Sequence, residues 1–327
     1  MTKPLLTVDR VDVTFRFPYG EYDALKDISF SVYPNEVVGI VGESGCGKSL
    51  TSQAIMGILP NLAHIRNGSI RFKEQDLTDL SEKEWERIRG NEISMIFQEP
   101  LTSLNPLMTI GKQIGEVLKK HSTLSKREIA NKTIAVMTEV GLSNAEQLFK
   151  AYPHQLSGGM RQRVVIAMAL IGETDLIIAD EPTTALDVTI QLQILDLFQK
   201  LKQQHHTSFI FISHDWGVVR KICDRVIVMY AGRVVEEGSV DDIIKHPKHP
   251  YTKGLIQAIP DHRKRGTELY SIPGKVPALQ ERGGGCPFAD RCTEWMDICS
   301  EKIPTQVKSD KQMVACHLFA EKEVVTV

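Results

Sequence analysis

Val37-Val38-Gly39-Ile40-Val41-Gly42-Glu43-Ser44-Gly45-Cys46-Gly47-Lys48-Ser49-Leu50 reads as a buried strand, a glycine loop and the opening of a helix. The apolar run breaks at Gly42, and residues 48–58 are compatible with a helix. From Gly42 to Ser49 the spacing is G-x-x-x-x-G-K-[ST], a phosphate-binding loop. Glycines are needed there because the backbone must wrap closely around phosphate oxygens and turn its N–H groups inward. The helix starting near Lys48 adds the positive end of its dipole. Lys48 is then expected to reach the β- and γ-phosphates of a nucleotide, and Ser49 to ligate Mg²⁺. Glu43, Ser44, Gly45, Cys46, Gly47 and Leu50 complete the expected nucleotide-binding stretch, with Cys46 offering only its backbone. A plain glycine turn after a strand is the bland alternative, and the strand-loop-helix context speaks against it.

A second anchor lies downstream, at Leu176-Ile177-Ile178-Ala179-Asp180-Glu181. An acidic pair ending an apolar strand places Asp180 beside Mg²⁺ and Glu181 where a general base would polarise an attacking water. Taken alone that pattern is weak, since many strands end in a carboxylate. Beside a phosphate loop it becomes specific. Apolar β runs also stand at residues 93–97 and 208–212, each of the later runs followed by helix-forming sequence. Strands alternating with helices imply an α/β fold with a mostly parallel, covered sheet. The opening residues 5–13 and 28–32 have β-type alternation, and residues 225–230 with Val234-Val235 read as a closing hairpin. Between about 106 and 149 only helical periodicity is visible.

Lys and Arg together number 39 and Asp and Glu 41, so the net charge of -2 gives no electrostatic case for nucleic acid as a partner. The basic run His262-Arg263-Lys264-Arg265 reads as solvated linker. The N-terminus lacks the apolar stretch of a signal peptide. The longest apolar run, near residues 164–171, is far short of the roughly 18 residues that a spanning helix needs. A cytosolic chain is expected, held at any membrane by another chain.

Between the two anchors stands Leu156-Ser157-Gly158-Gly159-Met160-Arg161-Gln162-Arg163. This resembles the signature of the ATP-binding cassette (ABC) proteins. Gln98 after the strand at 93–97, Ala185-Leu186-Asp187 after the acidic pair, and His214 after the strand at 208–212 follow in the family's order. The resemblance covers residues 1 to about 260. It implies a P-loop NTPase nucleotide-binding domain with a mostly parallel core sheet, an antiparallel β subdomain and an inserted helical subdomain at about 100–165. It also implies that Tyr19 stacks on adenine, with Tyr22 as rival. Catalysis falls to Glu181, His214 and Gln98, and Mg²⁺ to Ser49, Gln98 and Asp180. Ser157, Gly158 and Gly159 bind the γ-phosphate held by a partner domain, because two such domains face each other head to tail. Every position an active ATPase of this family needs is present.

Composition shifts towards Pro, Gly and charge after Pro247, and residues 1–260 are expected as the ATPase domain, with 261–327 as a C-terminal extension. Cys286, Cys292, Cys299 and Cys316 crowd into that extension. In a reducing compartment such a group suggests metal ligation before disulfides. Four thiolates can hold Zn²⁺ or a 4Fe-4S cluster. The flanks Gly285-Cys286-Pro287-Phe288 and Arg291-Cys292, the run His249-Pro250-Tyr251-Thr252-Lys253-Gly254-Leu255 and the run from Gln98 to Pro106 resemble the oligopeptide/dipeptide importer ATPases. The Met160-Arg161-Gln162-Arg163 continuation resembles their D-type subunit. That resemblance implies a 4Fe-4S cluster in preference to Zn²⁺. It implies a related F-type ATPase, or a second copy, as dimer partner, with two transmembrane permease subunits and an extracytoplasmic substrate-binding protein. The implied place is the cytoplasmic side of the cell membrane, as a peripheral protein, and the implied cargo peptide. Nickel and other small solutes use related ATPases. A soluble ABC ATPase of DNA repair or translation is the rival class, but neither a long heptad insertion nor a second cassette is present.

Overall fold

The computed structural model describes residues 3–184, 186–259 and 270–320. Ala185, the basic run at 262–265 and the expected domain boundary at 260/261 lie outside the described residues. The chain forms two compact units, one of Met1–Lys3, Val32–Val37 and Asp79–Ile212, the other of Pro4–Ser31, Val38–Thr78 and Ser213–Val327.

In the first unit the strands Ile93–Ile96, Leu176–Asp180 and Ser208–Ile212 pair in parallel, with Leu176–Asp180 in the middle. Both later strands are buried along their whole length, as parallel strands covered on two faces must be. Helix Val188–His205 buries Ile194, Leu195, Leu197, Phe198 and Leu201. The Phe198 ring meets Phe209 and Phe211 edge-on, with centroids 5.7 and 5.4 Å away. Each such buried side chain contributes about 1.5–3 kcal/mol. Helices Ile110–His121, Lys126–Glu139 and Ala145–Leu148 lie in the stretch where the sequence shows only helical periodicity. Gly111 allows the closest approach among them, because a Cβ there would sit 2.2 Å from the Phe149 ring.

The second unit has two sheets. Strands Leu6–Phe17, Gly20–Val32, Ala63–Phe72 and Gln75–Asp76 make an antiparallel sheet. A bulge between Asp9 and Asp12 turns the Asp12 carboxylate inward. There it accepts hydrogen bonds from Lys26 Nζ, Asp27 N–H and Asn67 Nδ2, each at 2.8 Å. In the other sheet Val37–Val41 runs parallel to Arg225–Tyr230, which continues antiparallel into Arg233–Ser239 and then the tail hairpin Val307–Ser309/Gln312–Val314. Tyr230 and Tyr251, both fully buried, close around Phe288 of the tail, with ring centroids 4.6–5.3 Å apart. The tail is thus bound by an aromatic core. No described helix is long and apolar enough to cross a membrane.

Candidate functional site

Strand Val37–Val41 delivers the chain into the loop, and helix Lys48–Ile55 takes it away. Gly42 has φ 153°, and a Cβ on it would stand 2.3 Å from the Met229 carbonyl oxygen. Gly47 has φ 106° and forms the N-cap of the helix. Both positions therefore demand glycine. The Lys48 side chain folds back over the loop, and its Nζ donates to the carbonyls of Gly42 (2.9 Å) and Glu43 (3.1 Å). A buried ammonium is tolerable there because two carbonyl dipoles face it. Cys46 is buried, and burial pushes its thiol up, so it is no nucleophile. Ser44, Gly45 and Ser49 are exposed on the open side, and Leu50 is half-buried.

Tyr19 is exposed and stacks on Phe17 (5.2 Å between centroids), with Tyr22 tilted against both. The two candidate adenine platforms belong to one aromatic cluster. His214 is exposed just beyond Ser213, whose N–H donates to the Ile40 carbonyl (3.2 Å) and thereby fixes the turn beside the strand that feeds the loop.

In the first unit, strand Leu176–Asp180 ends with Asp180 buried. Glu181 follows at φ 47°, its N–H donating to the Ile212 carbonyl (3.0 Å). This left-handed residue turns the second carboxylate out of the strand line. Its Oε2 accepts from Gln98 Nε2 (3.1 Å) and Thr184 Oγ1 (2.9 Å). Two donors on one oxygen fix where the carboxylate points. The structure therefore brings Gln98 and Glu181 together. Ser157 caps helix Gly158–Leu170, its Oγ accepting from Met160 N–H (3.3 Å). Gly158 faces open space, while a Cβ on Gly159 would press to 2.8 Å on Ile190. The helix start is exposed and carries no acidic residue in its first turn, which leaves a positive pole facing outward.

The expectation for the four tail cysteines is corrected by the structure. Among the described residues no three His, Cys, Asp or Glu side chains are grouped to hold a metal ion. Cys286, Cys292, Cys299 and Cys316 are free thiols, and neither a 4Fe-4S cluster nor Zn²⁺ is assigned to them. The reason is their surroundings. Cys286 and Cys292 pack against the aromatic core as small apolar side chains. Burial pushes the Cys286 and Cys316 thiols up to about 11, whereas a ligand must be a thiolate.

Three residues near the expected site lay outside the sequence reading of it. Thr184 stands in the run that follows Glu181, and that adjacency was the available signal. Tyr251 and Arg291 reach Glu43 of the loop from the far end of the chain. Both stand in runs that resemble the importer ATPases, and nothing in the local sequence says what they touch.

The strand-loop-helix with Lys48 folded over it, and the capped Ser157-Gly158-Gly159 start, define an ATP-binding cassette. The ABC transporter family matches residues 25–184. An ATP-binding cassette solved as a dimer in a post-hydrolysis state with ADP and Pi is 28% identical, with a TM-score of 0.65, covering 72% of this chain and 98% of its own. A second cassette, cbiO1 from Clostridium perfringens, part of the ABC transporter complex cbiONQ, has a TM-score of 0.64 at 28% identity, covering 74% of this chain and 91% of its own. Residues 235–299 match the family described as oligopeptide/dipeptide transporter, C-terminal region. The dipeptide transport ATP-binding protein DppD of Bacillus subtilis is 49% identical, over 96% of this chain and 94% of its own. The oligopeptide transport ATP-binding protein OppD of Salmonella typhimurium is 46% identical, over 95% and 93%. The chain belongs to the ABC transporter ATP-binding proteins, in the oligopeptide/dipeptide branch.

Proposed function

We propose that this chain binds and hydrolyses ATP to power peptide import through an ABC transporter. The observation that carries the reading is Glu181, held by Gln98 and Thr184 at the end of the strand that bears Asp180, in a chain that also has a complete phosphate loop. The oligopeptide/dipeptide relatives support the peptide cargo.

The roles follow from the chemistry of each group. Tyr19, with Tyr22 beside it, offers the face on which adenine stacks. The backbone from Gly42 to Gly47 wraps the phosphates, and Lys48 exchanges its two carbonyl partners for β- and γ-phosphate oxygens. Ser49, Gln98 and Asp180 supply hydroxyl, amide and carboxylate oxygens, a donor set suited to Mg²⁺, which when bound would neutralise phosphate charge. Glu181 takes the proton of the attacking water, and His214 steadies the γ-phosphate. Ser157, Gly158 and Gly159 serve the nucleotide of the opposite subunit through the positive helix start. That division of labour calls for a dimer, with a related F-type ATPase or a second copy opposite. Two permease subunits hold the pair at the cytoplasmic face of the membrane, and an extracytoplasmic binding protein delivers the peptide. We place residues 1–260 as the motor and 261–327 as its extension.

The test is Glu181→Gln in the assembled transporter. Hydrolysis should fall at least about a hundredfold, as expected when a general base is removed, while ATP binding persists. Near wild-type turnover would reject the assignment.

A further inference from the structure

All three polar groups of Glu43 are committed. Its N–H donates to Tyr251 Oη (2.8 Å), its carbonyl receives Lys48 Nζ (3.1 Å), and its carboxylate is taken by Arg291. The Arg291 pair is bidentate, Nη1 to Oε2 at 2.7 Å and Nη2 to Oε1 at 3.0 Å. Arg291 itself has little freedom. Its side chain is 5% exposed, its Nε donates to the Pro273 carbonyl (2.7 Å) and its Nη1 to Tyr230 Oη (3.2 Å). The guanidinium lies near the rings of Tyr230 and Phe288 (5.6 and 5.8 Å). The tail thus grips the second residue of the phosphate loop, and does so with planar, preorganised geometry. The Glu43 carbonyl also accepts from Cys46 N–H (3.3 Å), so the residue whose side chain the tail holds is one from which the loop's turn is built.

We propose that Arg291 is a positioning residue for the nucleotide: by holding Glu43 it sets the phosphate loop, and the resting place of Lys48, in the shape that receives a triphosphate. Tyr251 is the second tether of the same residue. The inference rests on the ATP reading above. A loop that must order itself on binding spends affinity on that ordering, and the Arg291–Glu43 pair removes this cost in advance.

The experiment measures MgATP binding by titration calorimetry on the full chain, and KM and kcat in the assembled transporter. Arg291→Met should weaken binding and raise KM about tenfold, with kcat within about threefold. Arg291→Lys, which keeps the charge but loses the fork, should fall between the two. Glu43→Gln should raise KM at least about threefold. It leaves the Arg291 bonds to Pro273 and Tyr230 in place, so it decides the matter if Arg291→Met does not fold. A lower melting temperature with unchanged MgATP affinity in either variant would make Arg291 a mere anchor of the tail and overturn the proposal. Wild-type protein that binds no MgATP would overturn the ATP reading itself. Wild-type binding matched by both variants would overturn only the role of Arg291.

Discussion

Gly42 and Gly45 both have positive φ, 153° and 79°, yet their surroundings differ. A Cβ on Gly42 would meet the Met229 carbonyl at 2.3 Å and Cys46 Sγ at 2.7 Å, while a Cβ on Gly45 would meet nothing within 4 Å. Gly45→Ala should therefore cost about 1–2 kcal/mol, the backbone price of a side chain at positive φ. Gly42→Ala should cost more than twice as much, since rigid backbone must also give way. Urea unfolding of the two variants measures both, and equal costs would sink the argument. Gly42, Lys48, Asp180 and Glu181 stand out in the sequence as candidates because the chemistry proposed for them requires fixed local spacing. Tyr251 and Arg291 had no such spacing. They meet Glu43 across separations of 208 and 248 residues, and only the folded core brings them there. The cysteine reading failed for a related reason: spacing reports which thiols are near in sequence, whereas the folded surroundings decide whether side chains gather around an ion, and among the described residues none do.

Helix Pro250–Gln257 shows what an element adds. His249 is its N-cap, Nδ1 accepting from Tyr251 N–H at 3.0 Å, which requires an unprotonated ring nitrogen. Burial, and then the charge of Lys253, hold its pKa down at about 3. The unfolded chain takes up a proton near the ordinary value of about 6.5 that the folded chain refuses. Stability from this group is thus complete above about pH 6.5 and falls with acidification at about 1.4 kcal/mol per pH unit, until the folded group titrates. At pH 5 the loss should be about 2 kcal/mol. Glu236, whose carboxylate accepts from the N–H groups of Lys248 and His249, is pushed up by burial and acts in the opposite sense. The comparison is therefore with His249→Asn, which keeps a capping acceptor but does not titrate. Denaturation at pH 7 and pH 5 should show the steeper loss only in the wild type, and parallel losses would refute it. Elements were legible where the apolar period was strong. The strands Val37–Val41, Ser208–Ile212 and Arg225–Tyr230 have the bounds their runs suggest. The strand Ala63–Phe72 was not, because Arg66-Asn67-Gly68-Ser69 interrupts its pattern and pairing with Leu6–Phe17 supplies what the local sequence lacks.

At the scale of the molecule, the exposed start of helix Gly158–Leu170 is the feature that a single chain leaves unused. Its cap is satisfied by Ser157, its first turn holds no carboxylate, and Gly158 faces open space, so the pole of the helix is free to meet an anion. Nearby in sequence, the helix that Asp187 caps begins with Val188 at 73% exposure and carries Leu192 at 48%. Exposed apolar residues on the same chain as an exposed anion pole are what a nucleotide-glued interface would bury. Dimerisation should then depend on the γ-phosphate and persist only while it survives. Glu181→Gln, slow to hydrolyse, should associate with the related ATPase, or with its own second copy, in MgATP and separate in MgADP. Light scattering on a sizing column reads the mass directly. Ser157→Arg places bulk and charge where that phosphate would enter, at a capping cost of about 1 kcal/mol to the helix. It should bind MgATP through its own loop and yet remain a monomer when combined with Glu181→Gln. A Glu181→Gln protein that stays monomeric in MgATP with the related ATPase present would remove the head-to-tail dimer from this reading.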